Sequence, residues 1–381
     1  MLLEPATKET PKKSSRIIEL DAIRAISCLN LLLFHFTYVY QNKYGFESPL
    51  GFAFPYGKYG VQLFFMLSGM VNAMTLLSKR KAGDFLAARF IRIFPSYWLV
   101  IALNLLLFAT LPMFNHTITL SETFANLTTM PMLLGYTNME PVTWTLQIEM
   151  LFYFFLMTIF AFGLLDKPIR TMTIAVSFCL ASGLFINWFN ASYPNSTWHG
   201  HLYVFEKLFF IRNMPLFAMG ILLNELRLKR GNPIGLWAGI VFSATVFHLI
   251  DLRGHNPAAT VLLFGLLTAS AYGKVPILRW KMFTYLSFIS YALYLFHNNL
   301  GSALIRQLEL FSWPPLLSII VATAFSILVA HAMTFWLEQP FTKWLRVQYA
   351  NLKTWFSKKR ESAIQTADTA RLTNKTSSRK V

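Results

Sequence analysis

The sequence predicts an all-α fold: a polytopic bundle of about ten membrane-spanning helices with both termini in the cytoplasm. Three observations predict it. Of the 381 residues, 55% are hydrophobic and only 13% charged, more apolar surface than a soluble domain of this length needs. Apolar runs of about 20 residues, the length that crosses a bilayer core as a helix, recur along the whole chain. The basic residues between those runs gather on alternate connections, as they do on the cytoplasmic side of membrane proteins.

Taken in order, the predicted spans cover about 19–39, 59–78, 94–113, 143–163, 170–189, 204–223, 234–250, 258–273, 283–304 and 316–337. Ahead of them, residues 1–16 form a basic cytoplasmic arm. The first apolar run is too long for a signal-peptide core and lacks a small-x-small cleavage site, so it reads as an uncleaved helix. Residues 17–341 read as one transmembrane domain. Residues 342–381 are rich in Lys, Arg, Ser and Thr and poor in large apolar groups. They are expected to be a basic, disordered cytoplasmic tail held near anionic lipid.

The side of each connection follows from its charge. Lys8, Lys12, Lys13 and Arg16 lie in the arm. Lys79, Arg80, Lys81, Arg89 and Arg92 lie around the second connection, and Lys167, Arg170, Arg227, Lys229, Arg230, Lys274, Arg279 and Lys281 in later even-numbered ones. The opposite side holds Lys43, Lys58, Arg253 and Arg306. This cytoplasmic fringe accounts for the net charge of +17 without a nucleic-acid partner. Cys28 and Cys179 sit inside apolar runs and make neither a metal pattern nor a disulfide framework.

Several polar residues interrupt the spans. In "LDAIRAISCLNLLLFHF" (20–36), Arg24 and His35 are eleven residues apart. That spacing returns to within ~20° of one helical face and separates them by ~16 Å along it. A charge at mid-membrane costs ~3 kcal/mol, so such groups face a protein-lined cavity or pathway. Taken singly, Arg24 could snorkel to the headgroups and His35 could make an interhelical hydrogen bond. "WTLQIEMLFY" (144–153) places Glu149 one to two turns into the fourth span, and "SYALYLFHNN" (290–299) places His297 past the midpoint of the ninth. His35, Glu149 and His297 are therefore expected at similar depth in the outer half. A carboxylate and two imidazoles in one layer can handle a proton. "ARFIRIFPSYW" (88–98) puts Arg89 and Arg92 on one helical face at the cytoplasmic end. With Arg24 they suit an anionic, phosphate-bearing ligand; a bare pair at this spacing is also an ordinary basic flank. Arg212 and Asn213, in the sixth span, read as pocket lining or structural pairing.

Together these blocks resemble the acyltransferase 3 family of integral-membrane acyltransferases, over about residues 17–341. Arg24 and His35 match its first-helix pattern, and "GVQLFFMLSGMV" (60–71) is similar to its second-helix block, with Ser68 and Gly69 in place. "RFIRIFPSYW" matches the next block through Arg89, Arg92, Pro95 and Tyr97. "WTLQIEMLFY" resembles the block carrying Glu149, "SYALYLFH" the block carrying Tyr294 and His297, and "WLEQPF" the closing block, through Glu338 and Pro340. Gln62 stands where many members carry Asp, and it is given no catalytic weight.

The resemblance implies a membrane-embedded acyltransferase with acyl-CoA, usually acetyl-CoA, as co-substrate and no metal. The acceptor would be a hydroxyl of a cell-surface carbohydrate or lipid-linked saccharide, and the setting a bacterial plasma membrane. Arg24, Arg89 and Arg92 would hold the CoA. His35 would be the catalytic base or acyl carrier, with Glu149 orienting it. Ser68, Tyr97, Tyr294, His297 and Glu338 are further site candidates. The competing reading is a proton-coupled secondary transporter or flippase of a lipid-linked sugar, which buried Arg, His and Glu would serve equally well.

Overall fold

The computed structural model describes residues 17–78, 82–111, 113 and 117–377, with side chains to 362. The arm 1–16, with Lys8, Lys12, Lys13 and Arg16, and the loop residues Lys79, Arg80 and Lys81 lie outside the described residues. Among the described residues the regular structure is helical and no strand occurs. The principal helices are α1 (Ile18–Leu33), α2 (Gly60–Ser78), α3 (Ala82–Thr110), α4 (Leu120–Leu127), α5 (Trp144–Ala161), α6 (Pro168–Ser192) and α7 (His199–Leu208). They are followed by α8 (Met214–Arg227), α9 (Pro233–Ile250), α10 (Pro257–Ala271), α11 (Lys281–Leu310), α12 (Pro315–Ala332) and α13 (Gln339–Ser377).

Seven stretches of described helix are long and apolar enough to cross a membrane: Ile18–Lys43, Pro55–Leu76, Gly83–Thr110, Pro141–Ala161, Pro168–Ser192, Pro233–Ile250 and Pro315–Ser362. The chain is a helical membrane protein. The expected sixth span, 204–223, is not one helix. It breaks between α7 and α8, where Phe210 takes a positive φ of 36°. The break serves Arg212, which lies in it. The Arg212 guanidinium donates to Glu206 (2.9 Å), to Asn187 (2.9 Å) and to the Ile250 carbonyl. Non-helical backbone is tolerated at membrane depth when protein surrounds it and satisfies it, and Ile211 and Asn213 are buried here.

Close helix packing sets the frame. α2 lies directly against α8. A Cβ at Gly69 would collide with the Phe217 carbonyl oxygen, and one at Gly220 with that of Met66. The two backbones therefore meet through glycine, which is how helices gain contact where lipid is as apolar as leucine. Phe152 stacks on Phe217 beside this seam, with ring centroids 4.0 Å apart. α1 packs on α11 and α2, and α11 on α12.

Two helices change their winding. α1 passes into a π-helical stretch, Phe34–Val39, before Tyr40–Lys43 resumes α geometry. α12 does the same over Met333–Glu338 before α13. Such wide turns recur at functional sites, and the first of these contains His35. Residues 342–381, expected to be disordered, are helical as far as Ser377. The stretch 341–377 holds no Gly or Pro and many helix-favouring Lys, Arg, Ala and Leu residues. Its side chains are exposed throughout 351–362, as expected of a segment with no core to join. It is tethered at Asp84 of α3, which accepts from the Tyr349 hydroxyl (2.9 Å) and from Lys353 (2.7 Å).

Candidate active site

Two cavities lie along α1. The first is lined by Arg24, Arg89, Arg92, Ser68, Glu149 and Tyr153, among others. Arg24 sits 3.7 Å from Asp21, one turn earlier on α1. Arg89 lies over the rings of Phe85 (5.2 Å) and Tyr153 (5.5 Å), which orient a guanidinium without neutralising it. The Glu149 carboxylate accepts from the Ser68 hydroxyl (3.1 Å) and from the Tyr153 hydroxyl. Asn72 in turn donates to Ser68 Oγ at 2.8 Å. Three guanidiniums therefore share this cavity with one carboxylate, an excess of positive charge suited to an anionic ligand.

The second cavity, about 500 Å³, opens at the other end of the stripe and is lined by His35. There His35 Nδ1 lies 2.9 Å from Nε2 of His297. His297 Nδ1 faces two carbonyl oxygens, Leu293 (3.0 Å) and Tyr294 (2.8 Å). These fix the tautomers by elimination. His297 Nδ1 must carry the hydrogen, because a carbonyl can only accept. Its Nε2 is then the acceptor, and His35 Nδ1–H is the donor. His35 Nε2 is left with a lone pair. A neutral imidazole with one oriented N–H and one open nitrogen is what a base or nucleophile needs.

Leu31, Val61 and Tyr294 line both cavities. The Tyr294 hydroxyl lies 2.7 Å from Thr145 Oγ1 and donates to the Val142 carbonyl at 2.7 Å. The ring is thereby pinned between α11 and the start of α5 as a shared wall.

This geometry corrects the expected layer of His35, Glu149 and His297. The two histidines touch, but Glu149 lines the arginine cavity. The reason is axial rise. Trp144 borders the histidine cavity, and five residues further along α5 carry Glu149 ~7.5 Å past it. Ser68 stands with Glu149, and Arg24, Arg89 and Arg92 share one cavity. Tyr97 and Glu338 line neither. The Tyr97 hydroxyl donates to the Asn126 carbonyl (2.5 Å) and Glu338 accepts from Ser96 (3.2 Å).

A buried cluster behind His297 was missed in the sequence reading. Glu140 accepts from Asn298 (3.0 Å), from the Asn299 amide (3.4 Å) and from Asn104 (3.5 Å), while Asn299 donates to Asn104 Oδ1 at 2.5 Å. Glu140 stands in the loop ahead of α5. Burial pushes its carboxyl up to about 7, against the opposing pull of the amide donors. The available signal was the Asn-Asn pair directly after His297 and a lone Asn104 within an apolar span. In the 251–256 loop, burial alone would raise the Asp251 carboxyl, but hydrogen bonds from the His255 ring and the loop amides hold it well below its usual range.

The fold and its cavities define a helical membrane protein with an arginine-lined cavity and a histidine-lined cavity joined through one wall. A family model described as an acyltransferase domain matches residues 17–335, and the chain belongs to this acyltransferase 3 family. It is also similar to an exopolysaccharide production protein, ExoZ, of Rhizobium meliloti (strain 1021). The two are 30% identical over 270 residues, covering 65% of this chain and 78% of the relative. No solved structure matches.

Proposed function

We propose that the protein transfers an acyl group, acetyl foremost, from cytoplasmic acyl-CoA to a hydroxyl of a cell-surface carbohydrate or lipid-linked saccharide. The setting is a bacterial plasma membrane, with both termini cytoplasmic. The observation that carries this reading is the contact of the two cavities at Tyr294. Arg24, Arg89 and Arg92 hold the CoA phosphates on one side, and His35 Nε2 waits on the other. Glu149 belongs to the donor side in this reading, where it holds Ser68 and balances the arginines.

The chemistry runs through one proton. The acceptor O–H gives its proton to His35 Nε2 as the oxygen attacks the thioester carbonyl carbon. The tetrahedral intermediate collapses, the C–S bond breaks, and the departing thiolate takes the proton back from the His35 imidazolium. Ester, CoA thiol and neutral His35 result. His297 steadies the imidazolium by accepting from Nδ1–H, as the third member of a nucleophile–base–orienter chain does. An ExoZ relative, named for exopolysaccharide production, supports a polysaccharide acceptor.

Mass spectrometry of the host's surface glycans with and without the protein tests the reading. Acyl esters should vanish in its absence. Glycans that keep every ester but fail to reach the surface would replace the transferase by the flippase.

A further inference from the structure

The end of the molecule that holds His35 carries few basic residues in its connections: Lys43, Lys58, Lys207, Arg253 and Arg306. Cations on that side run against the bias that orients membrane proteins, so each one present needs a reason. Arg306 has one, in Glu47 at 2.5 Å, and Lys207 has one, in Glu206 at 3.1 Å. The other three all line the histidine cavity, and none has a carboxylate partner among the described residues. Each instead stands over an aromatic ring: Lys43 over Tyr44 at 4.9 Å, Lys58 over Tyr59 at 5.5 Å, Arg253 over Trp144 at 5.1 Å. A ring face orients a cation and leaves its charge available.

The remaining charged groups of the cavity do not cancel these three. Arg212 is taken by Glu206. Asp251, the acidic residue of the lining, accepts from the His255 ring at 2.8 Å and from the amides of Arg253 and His255 at 3.0 Å each. A second, independent sign comes from Gln62. It is 2% exposed and lines the same cavity. Its Oε1 accepts from Thr260 at 2.8 Å, but its Nε2 has no partner. A buried donor without an acceptor marks a place where a ligand oxygen completes the bonding. The volume, about 500 Å³, is that of a small-molecule site with aromatic walls and a few convergent polar groups.

We infer that the acceptor is an anionic saccharide, with its carboxylate or phosphate held by Lys43, Lys58 and Arg253 and a neighbouring hydroxyl presented to His35. Gln62 Nε2 donates to a further oxygen of the same ligand. This deepens the transferase reading by naming the chemistry of its acceptor.

The test separates binding from transfer. The full-length protein in phosphatidylcholine nanodiscs is titrated, without acyl donor, with three matched probes: cellobiose, cellobiouronic acid and cellobiose 1-phosphate. At low salt at least one anionic probe should bind about tenfold or more tightly than cellobiose, and salt should narrow the gap. Preference for the uronate assigns the anion to a sugar carboxylate, and preference for the phosphate to a phosphorylated linkage. In K43Q/K58Q/R253Q the ratio should collapse towards one, whereas charge-retaining K43R/K58R should keep it. Equal affinity of all three probes for the wild type, or no measurable binding of either anion at millimolar concentration, overturns the inference. Acyl donor is then added. Anion-selective binding without ester formation would sink the transferase reading and leave the anion site standing.

Discussion

Both cavities carry cations in their linings, and they differ in the group that stands among them: a carboxylate in one, a histidine pair in the other. The arginine end keeps its charges and shares them out: three guanidiniums, one carboxylate and two aromatic rings under Arg89. At the histidine end Lys43, Lys58 and Arg253 line the cavity, but the two histidines themselves pair as neutral imidazoles. His35 and His297 are joined by a chain of hydrogen bonds that ends on backbone carbonyls, and only Nε2 of His35 remains open. Binding a polyanion needs standing charge, whereas accepting a proton needs a neutral base that can gain one.

The sharpest way to break this contrast is His35→Ala. Loss of a general base should slow single-turnover transfer by ~10²–10⁴ while acyl-CoA binding stays near wild type. A mutant within a few-fold of wild type would make the histidine pair a structural bond, worth ~0.6 kcal/mol. The mirror experiment is Arg89→Ala or Arg92→Ala. Each should weaken acyl-CoA binding by ~1.5–3 kcal/mol through lost charge-assisted contacts, with the chemical step at saturating donor little changed. A fall in single-turnover rate without a change in donor affinity would move these arginines out of the donor site.

Glu140 sharpens the comparison from behind His297. Its carboxyl titrates at about 7 in the folded protein, above the ordinary 4.5. The folded state therefore holds the proton more tightly than the unfolded chain. The stability from that proton is complete below about 4.5 and is lost as the pH rises through about 7. Within that window wild type should lose up to ~1.4 kcal/mol per pH unit relative to Glu140→Gln. Thermal unfolding in detergent across the window checks this, and parallel curves would show that Glu140 titrates normally. The smallest effect belongs to Tyr97→Phe, which removes the bond to the Asn126 carbonyl and should cost ~1 kcal/mol of stability with transfer unaltered. A tenfold loss of turnover at full stability would return Tyr97 to the site.

The helical spacing of Arg24 and His35 was enough to place them on one stripe, and the structure puts one cavity at each. The arginine trio was legible for the same reason, since Arg89 and Arg92 are three residues apart on a helix whose end the charge pattern marks. Glu149 was misplaced because depth was reckoned in turns, and one and a half turns separate two layers here. The break at Phe210 hid inside an apolar run, where composition still reads as a continuous helix. Glu140 was invisible for a different reason. Its partners lie 36 and about 158 residues away, and no local period connects them. The helix from Gln339 to Ser377 shows the converse, a segment whose composition denies it a core yet whose local propensities still favour helix.

The wall formed by Leu31, Val61 and Tyr294 has an electrical consequence. A bilayer core is ~30 Å thick, but where two hollows that meet at one layer of side chains fill with water, the transmembrane voltage falls mostly across that layer. In the proposed orientation the acceptor's proton enters from the outer hollow and leaves with the thiol on the inner one, so it travels down a field that is negative inside. Each charge crossing the full potential gains ~2.3 kcal/mol per 100 mV. Transfer in sealed liposomes should therefore quicken when an inside-negative potential is imposed, and a voltage-independent rate would show that the proton never crosses the Tyr294 layer. On this account the cell's own polarisation pulls the acceptor's proton inward and so favours formation of the ester.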